Sequence, residues 1–486
     1  MKKLLKILLI SVLVVGFIFV LASCVTPTDE DTNQNNTDNT GDIDGDNNSN
    51  DDGGTTPITP TPDSPIKDGI SSTENIFVFE QNSAKNGFIL KNVTVKNSVV
   101  TIPANYGEKP VTEIAPLVFY SNDTIEEVNI PQTIVTIGER AFSACINLKK
   151  VNFEENSTLT TIGNRAFFNC ERLTTCTIPL GVKEIGSEAF MNCMEYTSTA
   201  LQANLSDYSL LKLGHQAFHN TKWFNEKTIC GDIRLGKCAY TYTYENYNEG
   251  DSISIEYTSA DIIAIGEKAL YGMENIASVT IGANVSYIGE KALCNMPNLT
   301  SITVESGNEN YISDGNCLIE KATGKLLTAT KYTVIPSYVT TIGEEAYAFR
   351  KDITSLTIPN TVTTILNNAF EGSSIVSITL SDELKVIPER AFLDCDKLQS
   401  ICVKAKVEEI GSASFNGCTS LKEVIVDSDA ILELLIGKLN SPAGLMAYAE
   451  TVYVLESLEN TSPYLSAHFN KVTSDKVGYL KYQIIK

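Results

Sequence analysis

The chain has 486 residues, and 43% of them are hydrophobic, so it can bury a large core. Its formal net charge is −22, from 59 acidic and 37 basic side chains. Basic residues form no stripe along the sequence, which argues against nucleic acid as a partner because phosphate backbones are bound by clustered Lys and Arg.

An export signal is predicted over residues 1–23. A positively charged start precedes an apolar run at 7–20, which is the pattern of a signal peptide. The run ends in LASC at 21–24, which resembles a bacterial lipobox and implies cleavage before Cys24 and acylation of its thiol. A signal peptide with a coincidental cysteine is the alternative. Because no second apolar run reaches the ~18 residues of a spanning helix, we expect an exported protein anchored to the bacterial membrane only through lipid.

Residues 24–68 are predicted to form a disordered acidic tether rich in Thr, Asn, Asp and Pro. Positions 25–65 hold ten acidic side chains and no basic one. Such a segment has too little apolar surface to offset the entropy lost on ordering it. We expect a solvated spacer between the lipid and the folded part.

Internal repetition predicts the fold of the remainder. A phrase of the form IGxxAF and its variants returns along the chain, mostly at intervals of 22–25 residues. Its isoleucine falls at positions 137, 162, 185, 265, 288, 342, 365, 387 and 410. Ile114 begins the series in a weaker copy, and Leu213 holds the same place in another. The two wide gaps are each about two repeats plus a short insertion.

A second phrase in each repeat predicts a short strand. In LKKVNF (148–153) and ITSLTIP (353–359), apolar residues alternate with polar ones and β-branched side chains are common. The IGxxAF phrase is expected to turn the chain, with Gly relaxing the backbone and with Ala and Phe pointing into the core. No unit of this size can bury its own apolar face, so the units should stack. The prediction is a β-rich solenoid of about thirteen coils, with short parallel strands and short helical turns.

The combined pattern LxxIxIPxxVxxIGxxAFxxC resembles the BspA-like class of bacterial leucine-rich repeats over residues 111–426. The resemblance implies a right-handed leucine-rich-repeat coil and a role in adhesion to host matrix proteins, host cells or other bacteria. It also implies a strand-rich N-terminal cap at 69–110 and irregular insertions near 195–260 and 305–335. Residues 427–486 resemble no part of the pattern. They are predicted to form a C-terminal cap, with a helix at 429–440 and a strand at 450–456.

The cysteines are mostly predicted to be core residues. Five of the twelve recur three residues after a Phe, as a small buried hydrophobic side chain would. These are Cys145, Cys170, Cys193, Cys395 and Cys418. Cys230 and Cys238 flank a short segment, and whether they pair stays open at this point.

The sequence offers little for catalysis or for binding a cofactor. His215 and His219 have the spacing of helical metal ligands, but Gln216 stands where a zinc protease needs Glu, so a surface pair without metal is expected. The acid pairs Glu344-Glu345 and Glu408-Glu409 are expected to be solvated on the outside of the turn phrase. We find no phosphate loop or nucleophile elbow and expect neither an enzyme nor a bound cofactor.

The outward positions of the strand phrase carry a series of hydroxyl side chains. They are Thr175, Thr177, Ser278, Thr280, Ser301, Thr303, Ser355, Thr357, Ser377 and Thr379. One interpretation is a binding platform for an extracellular protein or glycan; the other is that Thr simply suits exposed strand positions. We favour a monomeric, non-catalytic surface adhesion protein. The alternatives are a structural surface-layer component without a ligand and an accessory substrate-binding protein of an enzyme system.

Overall fold

The computed structural model describes the chain at 74–197, 210–227, 231–243, 252–404, 406–436, 449–459, 465, 469–476 and 478–484. Residues 1–68 and 69–486 are two separate units, and every described residue belongs to the second. The predicted signal peptide, the lipidation site Cys24 and the tether therefore lie outside the described residues.

The folded unit is a β-solenoid of about 13 turns with few helices, which confirms the predicted fold class. Each regular coil contributes a longer strand from the LxxIxI phrase and a two-residue strand that ends at the repeat isoleucine. Strands of successive coils pair side by side in parallel, so the coils build two faces. We name them the long-strand face and the short-strand face.

The long-strand face is divided into three sheets, in which the strands of the coils run parallel and the C-terminal segment adds two antiparallel strands to the third. The first contains β3 (Val99–Thr101), β6 (Glu127–Ile130), β8 (Lys150–Phe153) and β10 (Thr175–Cys176). The second contains β15 (Ile253–Tyr257), β17 (Ile276–Ile281) and β19 (Ser301–Val304). The third contains β24 (Ser355–Thr357), β26 (Ser377–Thr379), β28 (Ser400–Val403), β30 (Glu423–Val426) and β31 (Thr451–Leu455).

The short-strand face brings the repeat isoleucines into register. Ile137 lies beside Ile162, which lies beside Ile185 and then Leu213. The strands are β7 (Thr136–Ile137), β9 (Thr161–Ile162), β11 (Glu184–Ile185), β12 (Lys212–Leu213), β16 (Ala264–Ile265), β18 (Tyr287–Ile288), β23 (Thr341–Ile342), β25 (Thr364–Ile365), β27 (Val386–Ile387) and β29 (Glu409–Ile410).

Irregular elements lie at both ends and at two places within the array. The N-terminal segment contains β1 (Ile76–Gln81), β2 (Phe88–Thr94), β4 (Asn105–Tyr106) and β5 (Lys109–Ile114). The insertions contain helix α1 (Lys222–Lys227) with β13 (Gly231–Leu235) and β14 (Cys238–Thr243), and the antiparallel strands β20 (Tyr311–Asp314), β21 (Cys317–Glu320) and β22 (Lys325–Ala329). The C-terminal segment contains helix α2 (Asp429–Ile436), a 3-10 helix (Glu456–Leu458), β32 (Phe469–Val472) and β33 (Tyr479–Ile484).

One core position of each coil carries a large side chain, in most coils Phe, and these side chains stack on one another. The rings of Phe119, Phe142, Phe167, Phe190 and Phe218 follow one another with centroids 4.7–5.2 Å apart and planes within 14° of parallel. A second stack runs through Tyr347, Phe370, Phe392 and Phe415. Between the two stacks, leucines fill the place at 270 and 293. Stacked rings add about 0.5–1.5 kcal/mol per pair beyond their buried area, so the phenylalanine repeat aligns one coil on the next.

The turn phrase forms a third ladder between coils. The amides of Arg140, Phe142 and Ala144 donate to carbonyls of the next coil at 2.7–2.9 Å. The intervening amides of Ala141 and Ser143 donate to carbonyls three residues back in their own coil, at 3.1–3.2 Å. The backbone thus alternates between a tight turn within the coil and a bond to its neighbour. This alternation satisfies donors that a lone turn would leave to water.

Glycine has a different role in the phrase from the one predicted. The residues with left-handed backbone are the second and sixth after Gly138, namely Arg140 (φ 53°) and Ala144 (φ 59°). A Cβ added at Gly138 would come within 2.6 Å of Pro116 N in the preceding coil. Glycine is therefore needed there because the coils approach closely, and not because it relaxes the backbone. The left-handed conformation is adopted instead by non-glycine residues, and it costs about 1 kcal/mol of stability at each of them.

The insertion after β19 is closed by one buried arginine. The Arg350 guanidinium donates to the carbonyls of Met296 and Leu299 at 2.8 Å and forms an ion pair with Asp352 at 2.7 Å. Arg350 is only 2% exposed. It thus joins two coils where the inserted strands interrupt the repeat, and breaking such a buried pair costs about 3–5 kcal/mol.

The five repeat cysteines are buried, as predicted. Each thiol donates to the carbonyl of a Phe (for Cys145, Phe119) in the coil before it, at 3.0–3.1 Å. Cys230 lies outside the described residues, so its pairing with Cys238 remains a prediction. Burial raises the pKa of Cys294 and of Cys317 to about 12, because a thiolate is poorly solvated in the core.

Thiol labelling should separate the core cysteines from Cys402, which is half-buried on the long-strand face. Burial raises the pKa of Cys402 as well, so the difference lies in access: a reagent reaches a half-buried thiol more readily than a fully buried one. We expect iodoacetamide at pH 8 to modify Cys402 in the native protein and to leave the buried thiols intact until urea is added. Peptide mapping by mass spectrometry would measure this. Native labelling of Cys145 or Cys170 at the rate of Cys402 would contradict the packing described above.

Candidate binding surface

The ten predicted hydroxyl positions all lie on the long-strand face, but in three groups. Ser278 and Thr280 of β17 are in register with Ser301 and Thr303 of β19. Likewise, β24 and β26 align Ser355 with Ser377 and Thr357 with Thr379. Thr175 lies on β10 beside Lys150, and Thr177 follows that strand as an exposed residue. The structure thus assembles the group on β17 and β19 and the group on β24 and β26 into columns of hydroxyls, whereas the register partner of Thr175 is a lysine. The three groups lie on separate sheets.

The columns include polar residues that the repeat pattern missed. Ser254 of β15 precedes Ser278, whose hydroxyl donates to it at 2.8 Å, and Ser400 of β28 continues the column of Ser355 and Ser377. Ser377 also donates to Ser355 at 3.1 Å. The alternation in SISIEY (252–257) could have identified Ser254, but an irregular insertion separates it from the preceding repeat.

The first sheet adds charges that neutralise one another. Lys149 pairs with Glu126 at 3.0 Å and Lys150 with Glu127 at 3.4 Å, across neighbouring coils. These pairs are exposed and contribute less than about 1 kcal/mol each. Asn152 donates to Glu127 at 2.6 Å and to Asn129 at 2.7 Å. The face is therefore polar and hydrogen-bonded without a strong net charge.

A surface pair was expected, and His219 is exposed whereas His215 is half-buried. His215 and His219 line a pocket of about 150 Å³ with Glu267 and Phe224. Burial lowers the pKa of both imidazoles, so they are neutral at pH 7. The part of the chain that the structure describes contains no group of three or more potential metal ligands.

The prediction that Glu344-Glu345 is a solvated pair is wrong for Glu345. Glu345 is 7% exposed, and Lys291 forms ion pairs with Glu344 at 2.7 Å and with Glu345 at 2.9 Å. The lysine comes from the coil before the insertion, so this neighbour could not be predicted from the local sequence. A cavity of about 300 Å³ lies beside these charges, between β18 and β22. Glu408 and Glu409 are exposed, as expected.

Tyr347 places a hydroxyl in the core where most coils have Phe. The residue is 1% exposed, and its oxygen has no hydrogen-bond partner among the described residues. Tyr196 is also buried, but its hydroxyl donates to the Cys176 carbonyl at 2.5 Å. The two tyrosines thus differ in whether the buried oxygen is satisfied.

Comparison with known proteins places this repeat in a family. The sequence matches a family model described as BspA type leucine rich repeat region, in six copies, over 112–246, 240–317 and 326–432. The chain belongs to this family. The BspA-type repeats thus cover more than half of the protein, which confirms the resemblance seen in the sequence. Among the described residues of this family member, no helix combines the length and the apolar character needed to cross a bilayer.

Solved structures similar to this BspA-type chain include three bacterial proteins. A leucine-rich cell surface protein from Faecalibacterium prausnitzii is 25% identical, with 76% of this chain and 90% of that one covered and a TM-score of 0.40. The pneumococcal vaccine antigen PcpA is 18% identical (74% and 81% covered, TM-score 0.35). A leucine-rich-repeat protein from Eubacterium ventriosum is 20% identical (74% and 80% covered, TM-score 0.32). Comparison with curated proteins gave no match.

Replacing Tyr347 by Phe should stabilise the protein. The change removes a buried hydroxyl without a partner, which costs about 1–3 kcal/mol when left unsatisfied. The matched control is Tyr196→Phe, which loses a buried hydrogen bond and should destabilise by about 1 kcal/mol. Urea unfolding midpoints measure both. If Tyr347→Phe lowered the midpoint as much as the control does, the Tyr347 hydroxyl would have a partner and the description would be wrong.

Proposed function

We propose that this chain is a non-catalytic binding protein of the bacterial cell surface that holds an extended protein or glycan on its long-strand face. The observation that supports it is the in-register alignment of outward Ser, Thr and Asn side chains on parallel strands. A hydroxyl both donates and accepts hydrogen bonds. Such columns can therefore bond to an extended partner at every coil.

The rigidity of the face favours binding as well. The backbone of each inner strand is fixed by ladder bonds on both sides, as for β17 between β15 and β19. A surface that is already ordered loses little conformational entropy when a partner docks. An extended partner supplies many weak contacts, and each coil adds one more to the total.

The proposal includes export and a lipid anchor at Cys24, which the N-terminal sequence supports. An acidic tether of residues 24–68 would hold the solenoid away from the membrane. Cells that express the chain should incorporate labelled palmitate into it, and Cys24→Ser should abolish the incorporation. Labelling that persists in the Cys24→Ser variant would reject the anchor site.

Charge substitutions on the two faces test the binding proposal. Thr303→Lys combined with Thr357→Lys places two charges on exposed positions of the long-strand face. The control, Thr363→Lys with Thr364→Lys, places two charges at exposed positions on the short-strand side. Full-length protein in detergent is immobilised and probed with matrix proteins, mucins and a glycan array.

We expect saturable binding that the first variant weakens about tenfold or more, because buried unpaired lysines are costly at an interface. The control should bind like the wild type. Absence of saturable binding to every probe would favour a surface-layer component without a ligand. Equal loss in both variants would place the binding site elsewhere on the protein.

A further inference from the structure

We propose that a groove beside β8 and β10 binds a neutral sugar chain. This inference rests on the proposed function, because the groove is part of the long-strand face. The groove has a volume of about 540 Å³, which lies within the range of about 300–1,000 Å³ typical of ligand sites. Its floor includes Thr175 and Thr177, which the sequence analysis identified as candidate binding residues.

The groove exists because one coil is longer than the coil after it. The interval from Ile137 to Ile162 is 25 residues, whereas the next interval, to Ile185, is 23. The longer coil carries the segment EENS at 154–157, which forms one wall of the groove, while the segment 179–181 of the shorter coil lines the other side. Because the two coils differ in length, the segment 154–157 projects above β8 and β10 and encloses the groove.

The wall is fixed in place by hydrogen bonds. The Glu154 amide donates to the Ile130 carbonyl at 3.1 Å, and one Glu154 carboxylate oxygen accepts from the Gln132 amide at 3.0 Å. Asn156 has a left-handed backbone with φ 58°, which turns the segment back toward the next strand. A ligand would thus meet a preformed wall, and ordering the segment would cost little upon binding.

Several polar groups of the groove have no partner within the described part of the chain. The hydroxyls of Thr175 and Thr177 and the carboxylate of Glu155 make neither a hydrogen bond nor an ion pair there. The Asn152 amide nitrogen is committed to Glu127 and Asn129, which leaves its oxygen as an acceptor. The groove therefore offers acceptors and hydroxyls on a wall and floor of fixed geometry.

The charges and apolar surface of the groove define the ligand class. Its lining contains Glu154 and Glu155 and no basic side chain, which disfavours an anionic sugar or a phosphate. A neutral sugar donates its hydroxyls to carboxylates and can place its C–H face against Phe153, which is half-buried, and Leu180, which is 43% exposed. The two carboxylates would also attract a cationic peptide, and hexalysine serves as the probe for it.

The test uses oligosaccharides short enough to occupy the groove alone. Full-length protein in detergent is titrated calorimetrically with hexamers of glucose, mannose, galactose and N-acetylglucosamine, with a hyaluronan hexamer and with hexalysine. We expect at least one neutral hexamer to bind saturably and hyaluronan not to bind. Thr177→Arg, which fills the groove from an exposed position, should weaken binding about tenfold or more.

Two further variants identify the interaction. Glu155→Gln keeps an acceptor and removes the charge, so a neutral sugar should lose less affinity with it than with Glu155→Ala, and salt should have little effect. Thr364→Arg is the control, because Thr364 is an exposed threonine on the short-strand face, outside the groove. Thr364→Arg should bind the hexamer like the wild type.

The outcomes separate this inference from the proposed function. Binding of hexalysine only, lost in Glu155→Gln and at high salt, would replace the sugar by a cationic peptide and overturn the inference. Equal loss in Thr177→Arg and Thr364→Arg would show that the loss does not arise in the groove, which overturns the groove and leaves the proposed function intact. If no hexamer binds but a matrix protein still does, the groove is likewise rejected. If nothing binds at all, both proposals fail.

Discussion

No coil of this solenoid can satisfy its own backbone or bury its own side chains. The turn phrase shows the constraint most clearly, since every second amide from Arg140 to Ala144 donates to the next coil. The strands on both faces have the same dependence, and the Phe rings stack only when a neighbouring coil supplies a ring at about 5 Å. Stability in such an array therefore comes from the interfaces between repeats more than from the repeats themselves.

The binding surface follows from the same constraint. Because the inward positions are almost all apolar, as stacking of the coils requires, most of the variation falls on the outward positions. Parallel pairing in register then places equivalent outward residues in columns, as with Ser355, Ser377 and Ser400. Small differences in coil length create grooves on an otherwise flat face, and the groove beside Thr177 is one example. The regular coils thus form the flat face, and the coils of unequal length form its grooves.

The repeated parts of the structure could be predicted from the sequence, because a position that recurs in every coil has the same neighbours in every coil. The isoleucine register, the inward Ala-Phe pair and the buried cysteines are of this kind. The hydroxyl columns follow from strand alternation, although alternation says nothing of the breaks that divide them into three sheets. The left-handed residues could not be predicted, since Arg140 and Ala144 have no preference for that conformation and adopt it because the bonds on either side require it.

The parts that sequence reasoning missed depend on neighbours brought together by insertions. Glu345 looked solvated because its partner Lys291 belongs to another coil, 54 residues away. Arg350 belongs to no recognisable motif, yet its guanidinium joins the coils on the two sides of the same insertion. The sequence contains the length difference that forms the groove, a coil of 25 residues followed by one of 23. Its effect on the surface could not be predicted without knowing the register of the two coils.

Hydrogen exchange at single amides tests the interlocking of coils most directly. If every second amide of the turn phrase is bound to the next coil, Phe142 and Ala144 should exchange as slowly as Val151, which lies in the middle of β8. Exchange at Phe142 and Ala144 as fast as at the exposed Asn156 would show that the phrase is an ordinary surface turn. The coils would then be held together by their two faces alone, contrary to the account given above.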